Sequence, residues 1–353
     1  MRAPRRSSTG PTAFPVTHSV LAVSGLVHGL LSDYDVGPIS DCRLLQHNQN
    51  DTYVVQTREN RYVLRIYQAR SSYTPRRLAD VQYELRLLLH LEERGVPVSA
   101  PVARRDGTYL RLLRAPEGTR AAALFTDAPG EPVPPHTWDE TFAEQFGLAM
   151  GTLHAAAADF QCGYRRLGLD AAYLIDRPLR LARHLLAHRP ADWVFLRTLA
   201  RSLKRRIRVL AGQRLSRGVC HGDLLGKTNM HRMRDGTLTF FDFETCGPGW
   251  RAYDIAVFRW ALAQLTATAE AERLLGAFLD GYRQRCPLSP ADVAAIPLFV
   301  AVRQLWFLGL RTGNWENWGQ GEVSDAAFNE LFAFWRMWPG ATEQERRRTR
   351  RQP

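Results

Sequence analysis

The sequence predicts an α+β chain of two lobes, a small β-rich N-lobe and a larger, mainly helical C-lobe. Three observations carry this. β-Branched and aromatic runs, "TYVVQT" and "RYVLRIY", cluster early in the 353 residues. The Pro- and Gly-rich stretch from Ala128 to Pro135, "APGEPVPP", then punctuates the chain. From Thr141 onward apolar residues recur at helical spacing, interrupted by one short strand-like run between two acidic loops.

Residues 1–13 are rich in Pro, Ser and Arg and are expected to be a disordered tail. Val20, Val23, Val27 and Leu30 recur at helical spacing, which predicts a first helix capped near Ser19. The stretch is not read as a signal peptide, because Ser24 and His28 interrupt it and no small-residue cleavage site follows. "TYVVQT" and "RYVLRIY" are separated by "REN" and predict an antiparallel hairpin. Arg76 to Gly95 carries Leu78, Val81, Leu85, Leu88 and Leu89 and predicts a helix ended by Gly95 and Pro97. "PVARRDGTYLRLL" and "TRAAALFTDAPG" add further strands, so the N-lobe is assigned to 14–127. The C-lobe is assigned to 128–338. A helix over "FAEQFGLAMGTLHAA" opens it, and others are expected over 170–188, 192–212, 253–284, 290–312 and 325–338. Residues 339–353 are expected to be a second disordered, basic tail.

Composition bounds the function. Hydrophobic content of 45% and charged content of 23% are ordinary for a globular protein of two lobes. No apolar run is read as reaching membrane-spanning length, so no membrane partner is expected. Five scattered cysteines with no CxxC pair argue against a disulfide framework and a zinc site, and for a reducing cytoplasm. The net charge is +12, but the two tails carry half of it. No nucleic-acid-binding motif accompanies that charge, so nucleic acid is not the expected partner.

The stretch Gly218 to Ala256 carries the chemistry. Asp223 and Asn229 lie in one loop, Asp242 and Glu244 in the next. "TLTFF", preceded by an Asp235-Gly236 turn, is a strand that brings the loops side by side. Such an arrangement suits one carboxylate positioning a hydroxyl while others hold Mg²⁺ on a triphosphate.

His221-Gly222-Asp223, Asn229 and Phe241-Asp242-Phe243-Glu244 resemble the catalytic and metal loops of the aminoglycoside phosphotransferase and choline kinase superfamily. "CGPGWRAYDIAVF", Cys246 to Phe258, resembles the next segment of its homoserine-kinase-like and hydroxylysine-kinase-like branch. The resemblance implies a protein-kinase-like fold, ATP and Mg²⁺ as cofactors, and a small, amine-bearing alcohol as acceptor. Asp223 is then the catalytic aspartate, and Asp242 a metal ligand. Glu244 is a second ligand or a surface acid; on extended backbone it would point the same way as Asp242. His221 and Asp254 support the loop. Arg65 stands where the fold expects a phosphate-gripping lysine, with Glu84 placed to pair with it. Gln46 to Asp51 would cover the phosphates, with Asn48 and Asn50 in reach. Phe125, Thr126 and Asp127 would form the hinge that meets adenine.

The sequence departs from the superfamily at one place. Asp223 and Asn229 are six residues apart, not five. Gly226 could absorb the extra residue as a bulge; otherwise Thr228 takes the metal-ligand slot. Lys227, one of only two lysines, either neutralises the transferring phosphoryl or faces solvent. For the acceptor, Arg303 would suit a carboxylate, and Trp306, Trp315 and Trp318 with Glu316 and Glu322 would suit an ammonium, or these aromatics pack the core. Two rivals remain: a Ser/Thr kinase acting on peptides, and a pseudokinase that binds nucleotide without transfer.

Overall fold

The computed structural model describes residues 14, 16–69 and 77–338. The tails expected at 1–13 and 339–353, and the helix start at Arg76, lie outside the described residues.

Helix α1 spans Val23–Gly29. Its inward residue is Leu26, followed by Leu30, whereas Val20 and Val23 are exposed, so the buried stripe differs from the expected one. Ser19 does not cap it; its hydroxyl donates to Glu117 Oε2 at 2.7 Å, a carboxylate being the stronger acceptor. Strands β1 (Ile39–His47), β2 (Asn50–Thr57) and β3 (Arg61–Tyr67) follow. Then come helix α2 (Leu78–Glu93) and strands β4 (Arg111–Ala115) and β5 (Gly118–Thr126). The sheet is antiparallel, in the order β1-β2-β3-β5-β4.

Side chains alternate across a strand, and this positions the cleft. Tyr53, Val55, Leu64, Ile66, Ala122 and Leu124 point to the α1 side and form a closed apolar cluster there. Their neighbours Val63, Arg65 and Phe125 therefore point to the opposite face, over α2 and the C-lobe.

The C-lobe begins with β6 (Glu131–Pro132) and α3 (Glu140–Ala156), whose first turn is capped by Asp139. A π-helical turn, Ala172–Asp176, runs into α4 (Arg177–Leu185) and then α5 (Pro190–Ala211). Strands β7 (Arg217–Cys220), β8 (Met230–Arg232), β9 (Leu238–Phe240) and β10 (Gly247–Trp250) carry the two acidic loops. Helices α6 (Arg251–Leu265), α7 (Thr268–Arg283), α8 (Pro290–Trp318) and α9 (Asp325–Met337) complete the lobe. The single helix expected over 253–284 is two, because the chain turns extended at Thr266. Helix α3 lies against α7 at backbone contact: a Cβ on Gly147 would sit 1.8 Å from the Phe278 carbonyl.

Helix α8 corrects one expectation. Its 29 residues are long and apolar enough to span a membrane. However, 72% of its most apolar window is buried inside the lobe, where it packs as a core helix.

Candidate active site

The loop after β7 is braced from beneath. Asp254, in the first turn of α6, is fully buried. It accepts the backbone N–H of His221 at 2.7 Å and that of Gly222 at 2.7 Å. It also accepts Nε2–H of His154 at 3.0 Å, so His154 Nδ1 takes the Tyr282 hydroxyl at 2.8 Å. His221 donates from Nε2 to the Phe241 carbonyl at 3.0 Å and accepts the Asp223 N–H on Nδ1 at 3.3 Å. That pattern requires a neutral ring, and burial lowers the His221 pKa accordingly. One imidazole thus joins the two acidic loops.

Asp223 sits at the floor of the cleft with its side chain 24% exposed. Burial pushes its carboxyl pKa up, and the Arg303 guanidinium opposes that shift. Arg303 comes from α8, donating Nη2 to Asp223 Oδ1 and Nη1 to the Gly222 carbonyl at 3.2 Å. Its guanidinium lies against the rings of Trp260 and Trp306, at 5.3 and 4.0 Å from their centroids. Arg303, expected among acceptor contacts, is therefore turned toward Asp223. Trp306 is buried beneath it.

Within the longer loop, Gly226 has a φ of +91°. A Cβ there would lie 2.9 Å from the Trp138 ring, so the position is closed to other residues by conformation and by space. Asn229 also has positive φ, +67°, and its Nδ2 donates to the Asp223 carbonyl oxygen at 2.9 Å. Asn229 is buried, while Lys227 and Thr228 are exposed. The β8–β9 hairpin then carries the chain to Asp242, itself at φ +63°.

Side chains of the N-lobe reach the second loop. Arg65 bridges Glu84 Oε1, 3.1 Å from Nη1, and Asp242 Oδ1, 3.0 Å from Nη2. Asn50 donates to the Glu244 carboxylate. Glu244 lies in a 3₁₀ turn, Phe243–Thr245, instead of the extended backbone expected. Between the lobes is a cavity of about 240 Å³ whose lining includes Leu45, Val63, Phe125, Asp127, Asn229 and Asp242, and also Arg65 and Glu84.

Residues 41–288 match the phosphotransferase enzyme family. The chain belongs to that family. A Deinococcus radiodurans protein is 39% identical over 327 residues, 92% of each chain. Homoserine kinase of Xanthobacter autotrophicus is 29% identical over 301 residues, 84% of this chain and 88% of its own. Among solved structures, amicoumacin kinase in complex with AMP-PNP, Ca²⁺ and Ami aligns with TM-score 0.72 over 89% of this chain and 92% of its own. At 21% identity that last likeness is one of fold. The two-lobed, protein-kinase-like architecture read from the sequence is the one found.

By its family this chain is a phosphotransferase. Asp242, Glu244 and the side-chain oxygen of Asn229 are hard donors of the kind a small divalent cation prefers. Phe125 and Asp127 line the cavity. Asn48 is exposed and outside the lining, and Lys227 is outside it too. Trp315 and Trp318 belong to α8 itself, not to a segment beyond it, and Glu322 is paired with Arg311 at 2.6 Å. Sequence reading missed Arg166, whose guanidinium donates to three backbone carbonyls around the second acidic loop. It also missed the link of His154 to Asp254. Helical spacing marks His154 as inward-facing but gives no partner.

Proposed function

We propose that this phosphotransferase moves the terminal phosphoryl group of ATP, with Mg²⁺, to the hydroxyl of a small amine-bearing molecule. The observation that carries the reading is Asp223: a partly exposed carboxylate on the cleft floor, beside Asn229 and held by buried Arg303. Arg303 takes Oδ1; Oδ2, which accepts only a long contact of 3.4 Å from Asn229 Nδ2, orients the acceptor hydroxyl and receives its proton as the new O–P bond forms and the terminal P–O bond of ATP breaks to release ADP. Orientation is the larger contribution, because a loose phosphoryl transfer needs little early deprotonation.

Arg65 offers a planar fork suited to two phosphate oxygens, with Glu84 fixing its direction. Leu45, Val63 and Phe125 form apolar walls suited to a base, next to the hinge at Thr126 and Asp127. Asp242, Glu244 and Asn229 would hold the metal, which supplies neutralising charge to the phosphate oxygens. The likeness to homoserine kinase supports an acceptor with both a hydroxyl and an amine. The left-handed turn at Gly226 counts against a pseudokinase, since Asn229 returns to the cleft despite the longer spacing.

The test is a transfer assay with phosphate-labelled ATP and Mg²⁺ against pooled amino alcohols, hydroxy amino acids, aminoglycosides and Ser/Thr peptides. Label on a small amine, lost in Asp223→Asn, supports the reading. Label on peptides alone, or Mg·ATP binding with no transfer, overturns it.

A further inference from the structure

We propose that Arg166 is a positioning residue that locks the metal loop to helix α2, so that Glu84, Arg65 and Asp242 are held as one unit. The proposal rests on the reading of Asp242 and Glu244 as metal-binding residues.

Arg166 lies on the irregular segment between α3 and the π-helical turn. Its Nε donates to the Cys246 carbonyl at 2.6 Å, its Nη1 to the Asp80 carbonyl at 2.7 Å, and its Nη2 to the Glu244 carbonyl. Two of these carbonyls belong to the loop that carries Asp242 and Glu244. The third is in the first turn of α2, one helical turn before Glu84. Contacts therefore close a ring: Arg166 to α2, Glu84 to Arg65, Arg65 to Asp242, and the metal loop back to Arg166. Every acceptor of Arg166 is a backbone oxygen, so the ring fixes the path of the main chain as well as side-chain rotamers.

The strap that delivers Arg166 is itself pinned. Leu169 donates its N–H to the Pro248 carbonyl at 2.8 Å and pairs in parallel with Gly249 on β10. The approach is possible because β10 carries glycines there. A Cβ on Gly247 would sit 2.7 Å from the Leu167 carbonyl, and one on Gly249 would sit 2.9 Å from Leu169 Cβ. A guanidinium with three parallel or divergent donors can serve three carbonyls at once, which an ammonium on a flexible stem cannot do in fixed geometry.

Outer groups that orient metal ligands typically change metal affinity or activity by about 10–100-fold when removed. ATP binding is measured by calorimetry across a Mg²⁺ series and in chelator, for the full-length chain, Arg166→Gln, Arg166→Lys, Gly247→Ala and the exposed neighbour Arg165→Gln. The Mg²⁺ concentration that half-restores ATP binding should rise about 10–100-fold in Arg166→Gln. It should rise less in Arg166→Lys, rise in Gly247→Ala as the strap lifts, and stay unchanged in Arg165→Gln. ATP affinity in chelator, which reads the Arg65 contact without the metal, should fall less than affinity with Mg²⁺ in Arg166→Gln and stay unchanged in Arg165→Gln. A Mg²⁺-dependent wild type with an unshifted Arg166→Gln overturns the Arg166 proposal alone. So does an equal loss of affinity with and without Mg²⁺, which marks a merely structural residue. Wild-type binding that ignores Mg²⁺ overturns the metal assignment, and this proposal with it. Should Arg166→Gln fail to fold, an unshifted Gly247→Ala with normal thermal unfolding decides against it.

Discussion

The two acidic loops are held in opposite ways. The loop bearing Asp223 is braced from within its own lobe, by Asp254, His154 and Arg303, all of them buried. The loop bearing Asp242 and Glu244 is held partly across the cleft, by Arg65 and Asn50 of the N-lobe sheet. In the proposed reaction, hydroxyl positioning belongs to one lobe, while the metal half of the site depends on contacts made between lobes. Damage to the first should appear in turnover or stability, and damage to the second in nucleotide affinity.

The largest effect should come from Asp223→Asn. Loss of a positioned base costs about 10²–10⁴-fold in rate, and single-turnover transfer should fall by that order with ATP affinity retained. Loss of ATP affinity instead would erase the distinction between the loops. Asp254→Ala comes next. It leaves two buried N–H groups and His154 without their acceptor, a cost of about 3 kcal/mol, readable as a lower denaturant midpoint. A variant with normal stability would show that the bracing is not what holds the loop.

Gly226→Val should cost about 2 kcal/mol, from a strained backbone and an indole in the way. Because Trp138 closes over Gly226, stability and turnover should fall together. Thr228→Ala, at an exposed position one residue before Asn229, is the control and should change neither. The reverse ranking would mean that Thr228 holds the metal-ligand slot. For the second loop, Arg65 and Glu84 should couple by roughly 0.5–3 kcal/mol in a double-mutant cycle on ATP affinity. Additive losses would show that Glu84 does not orient the guanidinium.

The sequence was most informative where chemistry is local. His221 to Glu244 was readable because loop, turn, strand and loop follow one another within a few residues. Contacts between distant segments were legible where the family resemblance supplied them, as for Arg65 with Glu84 and Asp254 beneath the His221 loop, and not elsewhere. Arg303 and Asp223 are separated by 80 residues, so helical spacing could place Arg303 on α8 but not show which carboxylate it meets. Arg166 is one arginine in a loop without periodicity, and its partners are backbone oxygens, which have no sequence signature. Strand β1 was missed because Cys42 is its single buried residue, and an edge strand exposed on both faces has no alternation to detect. The break at Thr266 was missed because apolar residues continue across it at near-helical spacing.

The chain's basic side chains are 45 arginines and two lysines. Guanidinium groups stay protonated and ignore acylating reagents at neutral pH. Amine-directed labelling is therefore confined to Lys204, Lys227 and the N-terminus. Lys204 is tied to Asp176 at 2.6 Å, whereas Lys227 stands exposed in the loop that bears Asp223. An acylating dye thus has two side-chain targets, one of them within four residues of Asp223, and peptide mapping separates them without an engineered cysteine. Protection of that amine by ATP would bring it to the phosphates, and unchanged labelling would leave it in solvent.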